Sequence, residues 1–317
     1  MSDFHISVMS TETIKFLTLR LRKGGIFVDG TLGGGGHLKA LILKCQKSKI
    51  KCQIIGIDLD AEAISSAKKN LAKYRDQVIY FNDNFANIKN ILAKLKIKKI
   101  EGAVLDLGVS THQLANPDRG FSFNLTADLD MRMNQCQELD AGQIINSWPE
   151  NDLRQIFTKL GESPFAGRIA RAVVITRQKK LIKTSNQLIE VIRRATPPRW
   201  RHSRQRHFAT NIFRALRMEV NAELENLERA IPDLVEVLKP GGRLVIISFH
   251  SLEDRIVKNT FRRLANPCIC PPKIPQCVCG QKPQITILTK KPVLPNPQEI
   301  LKNPKSRSAK LRVAEKL

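Results

Sequence analysis

Three acids close short apolar runs in the first third of the chain: Asp29 after Ile26-Phe27-Val28, Asp58 after Ile54-Ile55-Gly56-Ile57, and Asp106 after Ala103-Val104-Leu105. Asp29 is followed by a glycine-dense turn, Gly30-Thr31-Leu32-Gly33-Gly34-Gly35-Gly36-His37, and then by the helix-like stretch Leu38-Lys39-Ala40-Leu41-Ile42-Leu43. Strand, glycine loop and helix in that order let the backbone come close to a nucleotide-like ligand at the strand's carboxyl end. The loop does not follow GxGxxG. An acid at the strand tip repels a pyrophosphate and suits a cation. S-adenosylmethionine carries a sulfonium and an ammonium and no phosphate, so it fits where a dinucleotide does not. A tight glycine turn with no ligand is the alternative for this segment. Asp58, ending the second strand, can accept hydrogen bonds from ribose hydroxyls.

A second constellation lies late in the chain. Cys268, Cys270, Cys277 and Cys279 form a CxC-x6-CxC cluster. In a cytosolic protein this spacing reads as one structural zinc more readily than as disulfides. Its CxC pairs are tighter than the usual CxxC, and Pro271, Pro272 and Pro275 stiffen the loop. Cys45, Cys52 and Cys136 are scattered and read as unlinked thiols. Ser248-Phe249-His250 ends a fifth strand, where His250 could accept a proton near neutrality or act as a structural hydrogen bonder.

The elements that must position these groups alternate in βα fashion. Apolar runs at 53–58, 77–81, 102–108 and 243–249 read as strands, with weaker ones at 284–288 and 311–314, separated by helical stretches such as 61–73. Strands apolar on both faces belong to a parallel sheet covered on both sides. A short helix leads in before residue 23, with Ser10 or Thr11 as N-cap and His5 near the cofactor end. Residues 140–196 are helical in period without strands, and Arg168, Arg171, Arg177, Lys179, Lys180 and Lys183 make them basic. A basic loop with Trp200 leads out, and one long or two abutting helices over 209–239 precede Lys239-Pro240-Gly241-Gly242. The net charge of +24, from 53 basic and 29 acidic residues of 317, points to a polyanionic partner. No apolar run reaches the roughly 18 residues needed to span a bilayer, and the N-terminus lacks a signal-peptide pattern; a cytoplasmic enzyme is expected.

The stretches VDGTLGGGGH, GIDLD, DNF, VLDLGVS, RGFSF, LDMRM, GESPFAGRIARAVV, FRALRMEVNAELENLE, LKPGGRLVIISFHSLEDRIVK and KNPKSRSAKLRVAE run through nearly the whole chain. In combination they resemble the bacterial 16S ribosomal RNA small subunit methyltransferase H family, also called MraW. The resemblance implies an α/β class I S-adenosylmethionine-dependent methyltransferase, a Rossmann-like parallel sheet whose last strand is antiparallel, with an inserted all-helical domain. The boundaries expected are 1–112 with 208–317 for the cofactor domain and 113–207 for an RNA-recognising insert. Small departures occur: Ser110-Thr111 replaces two serines, and Ala127-Asp128 replaces a Gly-Pro before Leu129-Asp130-Met131-Arg132-Met133.

The family implies N4-methylation of a cytidine in the decoding region of 16S RNA, within the small ribosomal subunit, by a monomer or dimer. A non-catalytic RNA-binding assembly factor on the same fold is the alternative. The residues carried over for the cofactor are Gly35, Gly36, His37, Asp58, Phe85, Asp106 and Gln113. The cytosine amine is conjugated with its ring, so transfer needs positioning and acceptors for its hydrogens as positive charge develops. Asp106 is the first candidate, with Asp130 and His250 the others, and Phe121 or Phe123 could stack on the base. The basic insert and the segment from Lys302 to Arg312 would hold the RNA backbone of a flipped-out base.

Overall fold

The computed structural model describes residues 7–19, 24–122, 127–201, 207–271 and 278–317. His5, Phe123, Cys277 and the basic stretch 202–206 lie outside the described residues. The chain divides into two units, Met1–Gly108 with Leu224–Leu317, and Val109–Glu223.

The first unit holds a seven-stranded sheet. Its strands are β1 (Gly25–Asp29), β2 (Cys52–Asp58), β3 (Val78–Asn82), β4 (Ile100–Asp106), β5 (Leu238–Ser248), β6 (Ile285–Ile287) and β7 (Lys310–Lys316), in the order β3-β2-β1-β4-β5-β7-β6. β1 to β5 are parallel, β7 is antiparallel to β5, and β6 is antiparallel to β7. This is the class I methyltransferase sheet that the sequence leads one to expect. Its apolar runs are buried on both faces. Phe27, Ile54, Val104, Val245 and Val313 share one cluster, whereas Val28, Ile55, Leu105, Ile246 and Ala314 share the other. Neighbouring residues point to opposite faces, so helices must cover both. Strand order reverses between β1 and β4, which opens a crevice at their carboxyl ends.

Local differences from the sequence expectation have physical causes. The short first helix, Ser10–Thr18, is preceded by Met9 in the left-handed region, not capped by Ser10 or Thr11. Lys239-Pro240-Gly241-Gly242 does not end a helix; it is an irregularity inside β5, with the register against β4 shifting between Ile100 and Gly102 and Gly241 at φ 78°. Cys45 and Cys52 are joined rather than unlinked, because the turn after the helix Gly36–Lys47 brings their Cα atoms to 6.4 Å. Arg312 is no RNA strap residue. It sits in β7, buried, with Nε donating to Asp254 Oδ1 at 2.6 Å.

The second unit is helical. The helices Ala141–Ser147, Glu150–Lys159, Ala166–Lys179, Ser185–Ala195 and Thr210–Val220 enclose a core that includes Phe157, Ile169, Leu188, Ile192, Ile212 and Leu216. The stretch 209–239 is thus two helices. The first, with its apolar face of Ile212, Phe213 and Leu216, packs in the helical unit, which therefore extends to Glu223 rather than ending at 207. Arg168, Arg171, Lys179, Lys180 and Lys183 are exposed. Arg177 departs from that set: its guanidinium donates to the carbonyls of Ile145 and Trp148 at 2.7 and 2.6 Å, a structural clamp.

The Leu129–Met133 loop is held by Asn221. Its Nδ2 donates to Met131 O and Arg217 O, each at 2.8 Å, and its Oδ1 accepts from Met133 N at 2.7 Å. Met131 is left-handed, at φ 61°, so the loop needs an external anchor. Asn221→Ala removes three hydrogen bonds from a buried position, and a loss of about 2–4 kcal/mol of stability is expected. Denaturant unfolding measures it; a change within about 0.5 kcal/mol would show that the loop is held otherwise.

Candidate active site

The glycine loop is fastened to the sheet by its own backbone. Gly30 N donates to Val104 O, and Leu32 N to Ile57 O, both at 2.9 Å, so the loop bridges β4 and β2. Gly33 N donates to Asp58 Oδ2 at 2.8 Å, while Asp60 N donates to Asp58 Oδ1 at 2.9 Å. Asp58 therefore sets the loop's height above the sheet. Asn82 Nδ2 donates to the carbonyls of Asp58 and Leu59 at 2.9 Å and fixes the turn after β2. Gly35 ends the loop at φ 81° and precedes the helix Gly36–Lys47. A Cβ on Gly35 would come within 2.6 Å of Leu71 Cδ1. The first N–H groups of that helix have no partner within it and form an anion-binding end.

Beside this loop the structure assembles a buried polar cluster. His37 Nε2 lies 3.2 Å from Asp106 Oδ2. Thr31 joins the two acids: its N–H donates to Asp29 Oδ1 at 3.2 Å, and its Oγ1 accepts from Asp106 N at 2.6 Å. Asp29 is 2% exposed and His37 4%. Asp29 Oδ2, His37 Nδ1 and Asp106 Oδ1 are buried without a hydrogen-bond partner. Burial pushes Asp29 up to about 6, against the pull of His37 and with a further push from Asp106 and Asp58. Burial also works against a charge on His37, yet the hydrogen bond and charge of Asp106, with Asp29 behind it, hold its pKa above the ordinary imidazole value.

Three orphaned buried polar atoms in one place are costly unless a ligand meets them. Three carboxylates against one imidazole prefer a cationic ligand with a carboxylate of its own. S-adenosylmethionine has that pattern, and Gly35, at φ 81° with Leu71 packed where a Cβ would stand, keeps the loop in the turn that leads into the helix. Gly35→Val would force a β-branched residue into the left-handed region against Leu71. It is expected to cost about 1–3 kcal/mol and to weaken cofactor binding at least tenfold in calorimetry; unchanged affinity would mean the loop is not the binding edge.

The other sequence candidates have different settings. Phe85 opens a short 3₁₀ turn capped by Asn84 and packs on the core beside Gly30. His250 caps the helix Ser251–Ala265, its Nδ1 accepting from Glu253 N at 3.4 Å, and its Nε2 lies 3.0 Å from Glu253 Oε1 out of hydrogen-bond alignment. In the helical unit Gln113 Oε1 accepts from Ser110 N at 2.9 Å in a capping box, and Asp130 is paired with Arg132 by contacts of 2.7 to 3.0 Å. Thr31 received no site role from the sequence. The Asp-x-Thr spacing of an Asx turn was the one available signal for Thr31.

A sequence profile of the MraW methylase family matches residues 2–317. The chain belongs to the MraW methylase family. Among its relatives, the ribosomal RNA small subunit methyltransferase H of Carboxydothermus hydrogenoformans is 47% identical over 99% of this chain and 98% of its own length. The protein of the same name from Clostridium botulinum strain Loch Maree is 48% identical over 99% of both chains. That of Finegoldia magna is 43% identical over 99% of this chain and 98% of its own. No helix among the described residues is long and apolar enough to cross a membrane.

Proposed function

We propose that this MraW methylase transfers the methyl group of S-adenosylmethionine to N4 of a cytidine in 16S ribosomal RNA, in the small subunit and hence in the cytoplasm. The observation that carries the site reading is the buried Asp29–His37–Asp106 cluster under the glycine loop, with three unmet polar atoms. The cofactor, when bound, supplies an electrophilic methyl on a positive sulfur. Gly35 and Gly36, with the start of their helix, and His37 Nδ1 hold its carboxylate. Asp58 holds the ribose, and Phe85 offers an apolar wall. Asp106, fixed by Thr31 and His37, accepts a hydrogen of the cytosine amine through Oδ1 and favours the nitrogen as it becomes positive. Asp130 and His250 serve positioning, because Arg132 and the helix cap engage them.

The exposed Arg168, Arg171, Lys179, Lys180 and Lys183 of the helical unit supply sequence-independent phosphate contacts, which makes binding strongly salt-dependent. Trp200, 48% exposed and edge-on to Phe165, is a stacking surface. The test incubates the protein with isotope-labelled cofactor and small subunits lacking this modification, then maps label by nuclease digestion and mass spectrometry. Label on one cytidine N4 is expected. Cofactor binding without label on any subunit RNA would instead favour an assembly factor.

A further inference from the structure

The loop 266–284, between the helix Ser251–Ala265 and β6, carries cysteines that methyl transfer does not use. It starts and ends at one point, since Gln284 N donates to Leu264 O at 2.9 Å. Loops longer than about 12–15 residues without secondary structure are uncommon unless something organises them. Hydrophobic burial does not do so here. None of the loop's described residues is buried, and its apolar side chains Ile269 and Val278 are 80% and 79% exposed. The sulfurs turn the other way. The Sγ atoms of Cys268, Cys270 and Cys279 all lie within 4.8 Å of one another, with Cys268 and Cys279 at 3.8 Å.

That arrangement follows from the spacing. In extended backbone, residues i and i+2 share a side and the residue between them faces away. The i, i+2 spacing of Cys268 and Cys270 allows both sulfurs to meet Cys279 while Ile269 and Val278 are exposed. Among the loop's described residues the apolar side chains Ile269 and Val278 face solvent while three sulfurs gather. A disulfide could join only two of these sulfurs. Thiolates at about 2.3 Å from a tetrahedral zinc stand about 3.8 Å apart, the spacing of Cys268 and Cys279.

We propose that Cys268, Cys270 and Cys279 bind one zinc ion as thiolates, closing the loop as a structural clip. Cys277, the fourth cysteine of the sequence motif, is not needed for that statement. Binding displaces a proton from each thiol that ligates, so zinc uptake releases acid. Soft thiolates exclude magnesium and calcium, so the ion serves the loop's structure.

The full-length protein, purified under reducing conditions and dialysed against metal-free buffer, is measured by plasma mass spectrometry. About one zinc per chain is expected, falling below a tenth of that in a Cys268→Ser/Cys270→Ser variant that still binds S-adenosylmethionine. If that variant does not fold, cobalt substitution of the unaltered protein decides: thiolate-to-cobalt charge transfer with tetrahedral visible bands supports the site. Full zinc retention by the variant, iron in place of zinc, or a reduced protein that takes up neither zinc nor cobalt would overturn the proposal. Cys277→Ser, read in the same assay, reports whether the fourth position is a thiolate, through the intensity of the cobalt charge-transfer band.

Discussion

Asp106→Asn is expected to lower methyl transfer on the order of 10²–10³-fold while changing cofactor affinity only a few-fold. The substitution keeps shape, and the Asp106 N–H bond to Thr31 Oγ1 is a backbone contact that it leaves intact. What is lost is the negative charge at Oδ1, which is buried without a protein partner. An amine conjugated with a ring is a poor nucleophile, and its hydrogens need an acceptor as the nitrogen turns positive. The loss should therefore fall on kcat in single-turnover assays with saturating subunits. Asp130→Asn provides the contrast: it breaks the pairing with Arg132 and is expected to reduce the stability of the helical unit before it reduces the chemical step. Equal kcat losses in the two variants would remove Asp106 from its role.

Asp29→Asn is expected to make the cofactor-free protein more stable at pH 7, by about 1–3 kcal/mol, and to weaken S-adenosylmethionine binding about tenfold or more. A rise from 3.8 to about 6 means that the folded state binds the proton more tightly than the unfolded one. Stability from this group is greatest when both states are protonated, and it declines as pH rises from about 4 to about 6. The decline amounts to about 3 kcal/mol at about 1.4 kcal/mol per unit, less whatever a buried amide costs in its place. His37 has the same sign. Its raised pKa contributes stability that is present below the ordinary imidazole value and is lost as pH climbs past the folded one. The melting temperature of the cofactor-free protein should thus fall between pH 5 and pH 8, and Asp29→Asn should flatten the acid part of that slope. Cofactor affinity runs the other way, rising through pH 6 as Asp29 ionises. Calorimetric melting over this range, with and without cofactor, separates the two effects. A variant less stable than the parent at pH 7 would contradict the raised pKa.

Legibility in the sequence followed the range of the interactions. Ile54 to Ile57 and Ala103 to Leu105 announced strands buried on both faces, and the glycines after Asp29 announced a backbone approach, because both patterns are local. The antiparallel last strand came with the family resemblance and matches the topology found, whereas the strand order was not legible. The pairing of His37 with Asp106, across 69 positions, left no local trace. Gln113 and His250 illustrate the opposite case. Ser110-x-x-Gln113 is a capping-box pattern that local chemistry alone could have read, and the helix after His250 starts with Glu253 three residues on. Arg177 and Arg312 looked like RNA contacts because charge alone does not reveal a carbonyl or a carboxylate waiting in the fold. The helix Thr210–Val220 was ambiguous for a related reason, since an apolar face does not say which core it joins.

The most direct test of the account is a crystal structure of the protein soaked with S-adenosylmethionine. The cofactor is predicted to lie over Gly33 to Gly36, its ribose on Asp58 and its carboxylate at the start of the helix Gly36–Lys47. A cofactor bound elsewhere on the chain, or a loop that stays closed over Asp29 and His37 at saturating concentration, would contradict it.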